Sequence, residues 1–158
     1  MAVADEVSVI KSAPLGIVAL AEDRQGGLWV GTRQGQIRRL FENRWLEPGS
    51  FPSTNSISSL LSAADGSMWV GTAGDGLFHF ENGGFRHLGK HEGLRSDLIR
   101  TLYVDTEGTL WIGAGNSGLT CWQNSTIANF THYQGLPDDA ICPQSHLLRQ
   151  SLRRRFWI

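Results

Sequence analysis

Gly113-Ala-Gly115-Asn-Ser-Gly118 spells the glycine pattern that cradles a dinucleotide pyrophosphate, and it follows a strand-like apolar run. That chemistry needs a helix to begin at the last glycine, with its first amide groups facing the anion. Gly118-Leu-Thr-Cys-Trp122 is β-type instead, and Gly71-Thr-Ala-Gly-Asp-Gly76 is the same loop 42 residues earlier, so no nucleotide and no cofactor is expected. His87 and His91 are four apart, which joins two metal ligands on a helix but not in an outer strand and its loop. They read as a solvated pair, and no metal site is expected. His79, between Phe78 and Phe80, reads as a strand residue with a satisfied hydrogen bond, and His132 as an exposed outer-strand residue. Asp105-Thr-Glu-Gly-Thr-Leu-Trp111 is an acidic hairpin turn. Glycoside hydrolysis would need two carboxylates flanking a bond, or a tyrosine among arginines, and Tyr103 and Tyr133 have no such company. With no Ser, Cys or Lys beside an activating partner, no catalytic residue is expected and a non-enzyme is favoured.

The elements that would position such groups follow from composition and repetition. The 158 residues are 41% apolar and 18% charged, with 19 glycines and six tryptophans, which describes a folding, β-rich chain. A formal charge of -1 and no Lys/Arg cluster before residue 149 leave no footprint for nucleic acid. No apolar run approaches the roughly 18 residues of a membrane span, and Met-Ala-Val-Ala-Asp-Glu lacks the features of a signal peptide, so the chain expressed as given is expected in the cytoplasm. Cys121 and Cys142 are too few for a disulfide framework and lack metal-ligand spacing.

An apolar-Trp-(Val/Ile)-Gly-(Thr/Ala) motif occurs at Trp29, Trp69 and Trp111, spaced 40 and 42 residues, and Phe156-Trp157-Ile158 is an incomplete copy. Twelve residues before each of these three tryptophans stands an isoleucine, Ile17, Ile57 or Ile99, opening a first strand. A turn with Asp and Gly follows, then the Trp strand, a third strand from Gly35, Gly76 or Gly118, and an outer strand near Trp45, Phe85 or Phe130. Four strands in about 40 residues is one propeller blade. The expected fold is all-β, a partial β-propeller of three four-stranded antiparallel blades plus an incomplete fourth. The divisions are a partial outer strand of a preceding blade at 1–14, blade 1 at 15–51, blade 2 at 52–92, blade 3 at 93–134 and a degenerate start of blade 4 at 135–158.

The unit written for the third copy is Gly93-Leu-Arg-Ser-Asp-Leu-Ile99, Leu102-Tyr-Val-Asp-Thr-Glu-Gly-Thr-Leu-Trp-Ile-Gly113, Gly118-Leu119. It resembles the two-component regulator propeller repeat, and Gly135-Leu136-Pro137-Asp138-Asp139-Ala140-Ile141 resembles the opening of a further copy. The resemblance implies the periplasmic sensor region of a bacterial receptor, often a hybrid histidine kinase responding to carbohydrates, of which this chain is expected to be a fragment. Kinase motifs are absent from it. In register, Ile141 would be followed by Trp at 153, whereas Trp157 comes four residues late. A frameshift and an insertion in a divergent blade both account for that, and the three arginines before Phe156 read as a solvated end.

Loops joining strands two and three, and those joining blades, share one end of a propeller, where recognition residues sit on a rigid scaffold. The candidates are Arg33, Gln34, Asp75, Asn116 and Ser117 on the first set, and Asn55, Arg95, Asp97, Asp138 and Asp139 on the second. Asn55, Asp97 and Asp139 read foremost as turn caps. A carbohydrate or other small ligand is the expected partner, and open blade edges predict self-association. The alternatives are a fragment of a propeller carbohydrate-active enzyme and a nonfunctional truncated product.

Overall fold

The computed structural model describes residues 14–123 and 126–131, so the expected start of blade 4 and Asp138 lie outside the described residues. Three antiparallel meanders follow one another. The first is β1 (Ile17–Glu22), β2 (Leu28–Thr32), β3 (Ile37–Phe41) and β4 (Arg44–Leu46). The second is β5 (Ile57–Ser62), β6 (Met68–Thr72), β7 (Leu77–Glu81) and β8 (Gly84–Leu88). After a single 3-10 turn (Lys90–Glu92), the third is β9 (Ile99–Val104), β10 (Leu110–Ala114), β11 (Gly118–Gln123) and β12 (Thr126–Phe130). The β2–β3, β6–β7 and β10–β11 hairpins share one register, with Trp29 opposite Arg39, Trp69 opposite His79 and Trp111 opposite Cys121.

The sheets pack face to face as blades. Trp29, Ala19 and Ile37 of the first meet Ile57, Met68, Val70 and Phe78 of the second, while Trp69 and Leu77 meet Ile99, Leu110 and Ile112 of the third. Trp29 and Trp69 therefore point at the following blade, and Met68, Val70, Leu110 and Ile112, which flank the second and third tryptophans, at the preceding one. Both faces of β6 in the middle blade are buried, which is why that strand shows no polar alternation. An aromatic from the next third strand closes each seam: Phe80 lies 5.2 Å from Trp29, and Trp122 stands edge-on to Trp69 at 4.5 Å. Burying about 200 Å² of indole at ~25 cal/mol/Å² contributes on the order of 4–5 kcal/mol before ordering entropy.

The seams run through the inner strands, β1 on β5 and β5 on β9, with β2 and β6 reaching the next first strand. The glycine after Trp-Val permits this approach. A Cβ at Gly31 would collide with Ile57, and one at Gly71 would stand 2.7 Å from Cγ2 of Ile99. Ile57 and Ile99 are accordingly almost fully buried, whereas Ile17, the same residue of the first blade, is 42% exposed beside Leu15, Val18 and Leu20. Each first strand also carries a one-residue irregularity, at Val18, Ser58 and Arg100, which locally bends it.

Candidate binding face

The β2–β3, β6–β7 and β10–β11 loops are each tied to the residue before their own first strand. Arg33 N–H donates to the Gly16 carbonyl, Ala73 N–H to that of Ser56 and Gly115 N–H to that of Leu98, all at 2.9 Å. These bonds bring the hairpin loops and the inter-blade linkers to one end of the sheets. Gly76 N–H, donating to the Asp97 carbonyl at 2.8 Å, binds the second blade's loop to the linker leading into the third.

On this face Arg33, Gln34, Asn116 and Arg95 are exposed, while Ser117 is half-buried and donates its hydroxyl to the Gly115 carbonyl at 3.3 Å. Asn116 adopts φ +55°, a left-handed turn conformation that asparagine tolerates. Asp75 is turned toward its own scaffold. Its Oδ2 accepts from the buried Ser53 hydroxyl at 2.6 Å, and bonds from Ser53 and Asn55 hold its carboxyl below the usual range. Asp97 reaches back seven residues, where Oδ1 accepts from Lys90 N–H at 3.1 Å and Oδ2 lies 3.8 Å from Lys90 Nζ. Leu98 N–H is met instead by Ser96 Oγ at 3.1 Å.

A cleft of about 540 Å³ opens here between Pro52 and Gly74, lined by Asp75, Phe78, His87, Lys90, His91 and Asp97. His87 and His91 are exposed, as the sequence implies, yet they share this cleft. The strand ends at Leu88 and the chain turns sharply through Gly89 into the 3-10 turn, whose entry is fixed by Gly89 N–H donating to Glu92 Oε2 at 2.6 Å. His87 Nε2 donates to the Asp75 carbonyl at 2.8 Å, because a carbonyl can only accept, and in the neutral ring Nδ1 is then the acceptor. The ring lies 4.9 Å from Phe78. The cleft thus combines a flat ring, an ammonium donor and carboxylate and imidazole acceptors, a set suited to hydroxyl groups. Neither of the other two blades has a lysine-histidine pair at this place in the repeat.

At the opposite end the acidic turns are fully committed. Asp23 Oδ1 accepts from Gln25 and Gly27 N–H, both at 2.9 Å, and Oδ2 from Trp29 Nε1 at 2.7 Å and Arg39 Nε at 2.6 Å. Burial pushes this carboxyl up, but the bonds from Arg39, Gly27, Trp29 and Gln25 outweigh it and bring its pKa to about 2. Asp105 repeats the arrangement, accepting from Glu107 and Thr109 N–H and from Trp111 Nε1 at 2.8 Å, and its pKa is lowered although burial opposes this. In the second blade the corresponding position is Ala63. Asp65, two residues on, binds Ser67 instead and is held low by it. The carboxylate tether reaching six residues to an indole was not visible in the sequence, although the shared Asp-to-Trp spacing of blades 1 and 3 carries its signal.

His79 corrects an expectation. Its Nε2 is buried with no hydrogen-bond partner, because the ring is stacked on Trp69 at 3.9 Å and 17° and faces Trp122. Among the described residues no group of three or more His, Cys, Asp or Glu is placed to hold a metal ion.

Three meanders joined through tryptophan seams, with their variable loops at one end, define a β-propeller repeat protein. The Two component regulator propeller profile matches residues 13–34, 50–74 and 93–116, one stretch in each blade, and the chain belongs to that family by these repeats. No curated protein matches it in sequence. Among solved structures it resembles the extracellular domain assigned to a hybrid two component system, BT3049, of B. thetaiotaomicron. The identity is 24% and the TM-score 0.66, over 78% of this chain and 18% of that one. Virginiamycin B lyase from Staphylococcus aureus is similar at 14% identity and TM-score 0.63, over 81% and 44%. PorZ, a surface component of the type-IX secretion system of Porphyromonas gingivalis, follows at 18% and 0.53, over 72% and 17%. At these identities the likeness is one of fold, and the chain spans less than half the length of each.

Proposed function

We propose that these blades form part of the extracytoplasmic, periplasmic sensor region of a bacterial two-component receptor, and that they take a small hydroxyl-rich ligand, a carbohydrate first, in the cleft beside Lys90, His91 and Asp97. The carrying observation is that the cleft gathers residues the repeats do not share onto a scaffold that they do. Signal passage would occur through domains of the parent receptor, by rearrangement or dimerisation on binding. The lyase likeness shows that such a fold can host chemistry, but the repeated carboxylates Asp23 and Asp105 are ionised and saturated with donors, so neither can deliver a proton as a general acid. That favours a binding role over the glycosidase alternative.

The test is a thermal-shift and calorimetric screen of the chain against neutral, acidic and amino sugars, repeated with Lys90→Ala/His91→Ala. A sugar that raises the midpoint of the parent chain and not of the variant supports the reading. A panel with no effect, or an effect that survives in the variant, removes it.

A further inference from the structure

The position facing the seam tryptophan is filled differently in each blade. In blade 1 it is Arg39, whose charge is matched by Asp23 at 2.6 Å, so the Trp29 seam contains a compensated ion pair. In blade 2 it is His79, with Ala63 where the tethering aspartate would stand. The imidazole lies flat against Trp69, and Trp122 of blade 3 stands edge-on to both rings. His79 is therefore a titratable ring built into the contact between two blades.

The charged groups around it do not neutralise it. Glu81 Oε2, on the same strand, is 3.9 Å from Nδ1 but its side chain is 60% exposed. Asp65, from the β5–β6 turn, is exposed and committed to Ser67, and Arg86, paired with His79 in register from β8, opposes a further positive charge. Blade 3 presents the Trp122 ring. Burial is the largest influence and keeps the imidazole below its ordinary value of 6.5, against the smaller pull of Glu81 and Asp65.

The neutral ring fits this seam with its proton on Nδ1, toward Glu81, because a bare lone pair at the buried Nε2 needs no acceptor of its own. A second proton creates a charged N–H at Nε2 with nothing to receive it, and the attraction of the cation for the Trp69 face offsets only part of that desolvation. The ring can regain a partner only by leaving the stack. We propose that the blade 2–3 seam is a proton-operated joint, loosened when His79 becomes an imidazolium. The blade 1–2 seam, closed by Arg39 and Asp23, lacks this response. The inference is independent of which ligand the cleft takes.

The experiment is amide hydrogen exchange of the whole chain at pH 7.5 and 5.0, corrected for intrinsic rates, alongside urea unfolding of the parent and His79→Phe. Acidification is expected to strip protection from β7, β10 and β11 while β2 and β3 keep theirs. The unfolding constant of the parent is expected to rise about tenfold more than that of the variant. An equal loss at both seams, or parallel unfolding of parent and variant, overturns the proposal. Should His79→Phe not fold, the exchange comparison within the parent chain decides alone.

Discussion

Cγ2 of Ile99 stands 2.7 Å from the point where a side-chain carbon on Gly71 would be, so the first strand of blade 3 sits in the space left by a missing methyl group on blade 2. Gly71 is not in the left-handed region, and the constraint is one of volume. Gly71→Ala is expected to cost about 1–3 kcal/mol by overpacking. Gly84→Ala, whose nearest neighbour would be the Glu81 carbonyl at 3.9 Å, should stay within about 0.5 kcal/mol. Urea midpoints of the two variants give the comparison.

Acid should release the Asp23 tether. Its folded pKa of about 2 lies below the ordinary 3.8, so its stabilisation is complete above pH 3.8 and is lost as pH falls from there toward 2. The shift is equivalent to about 2 kcal/mol as an upper limit, nearer 1 kcal/mol once solvent screening at a surface turn is allowed for. Asp23→Asn should be less stable at pH 7 and should flatten the stability profile between pH 4 and 2. An unchanged profile would mean that the carboxylate is not held by Arg39 and Trp29.

Asp75 and Arg33 occupy neighbouring places on the loop end but should behave differently. Asp75→Ala removes the acceptor of the buried Ser53 hydroxyl and is expected to cost about 1–2 kcal/mol. Arg33→Ala, at an exposed position, should cost less than about 0.5 kcal/mol. Thermal melts of both variants distinguish a scaffold clamp from a surface contact.

The first strand leaves Leu20 58% exposed and Ile17 and Val18 42% exposed, and Leu15 just before it is 85% exposed. A free chain at micromolar concentration is expected to self-associate through this face, since a contiguous apolar strand surface seeks cover. Sedimentation velocity should shift toward the monomer on Ile17→Lys/Leu20→Glu. Association untouched by that pair would place the contact elsewhere.

The strands could be read from the sequence because each seam joins a tryptophan and the glycine two residues after it to the isoleucine that stands twelve residues before the next tryptophan. A contact made in every repeat writes itself into every repeat. The cleft was less legible. His87 and His91 were separated by a change of element at Gly89, and spacing rules that hold within a strand do not cross such a break. Asp75 looked free because Ser53, which engages it, lies 22 residues away across a seam. His79 looked satisfied because a half-polar side chain in a strand normally is, and only the flat approach of Trp69 denies it a partner.

Because blades touch along their inner strands, any tilt between two of them pivots near the central axis. Three inter-strand steps of about 4.8 Å put the fourth strand roughly 14 Å from that pivot, so a 5° rotation would carry the rim on the order of 1 Å. The array works as a row of levers with its fulcrums inside, and small adjustments at the hub would be read as larger displacements at the periphery.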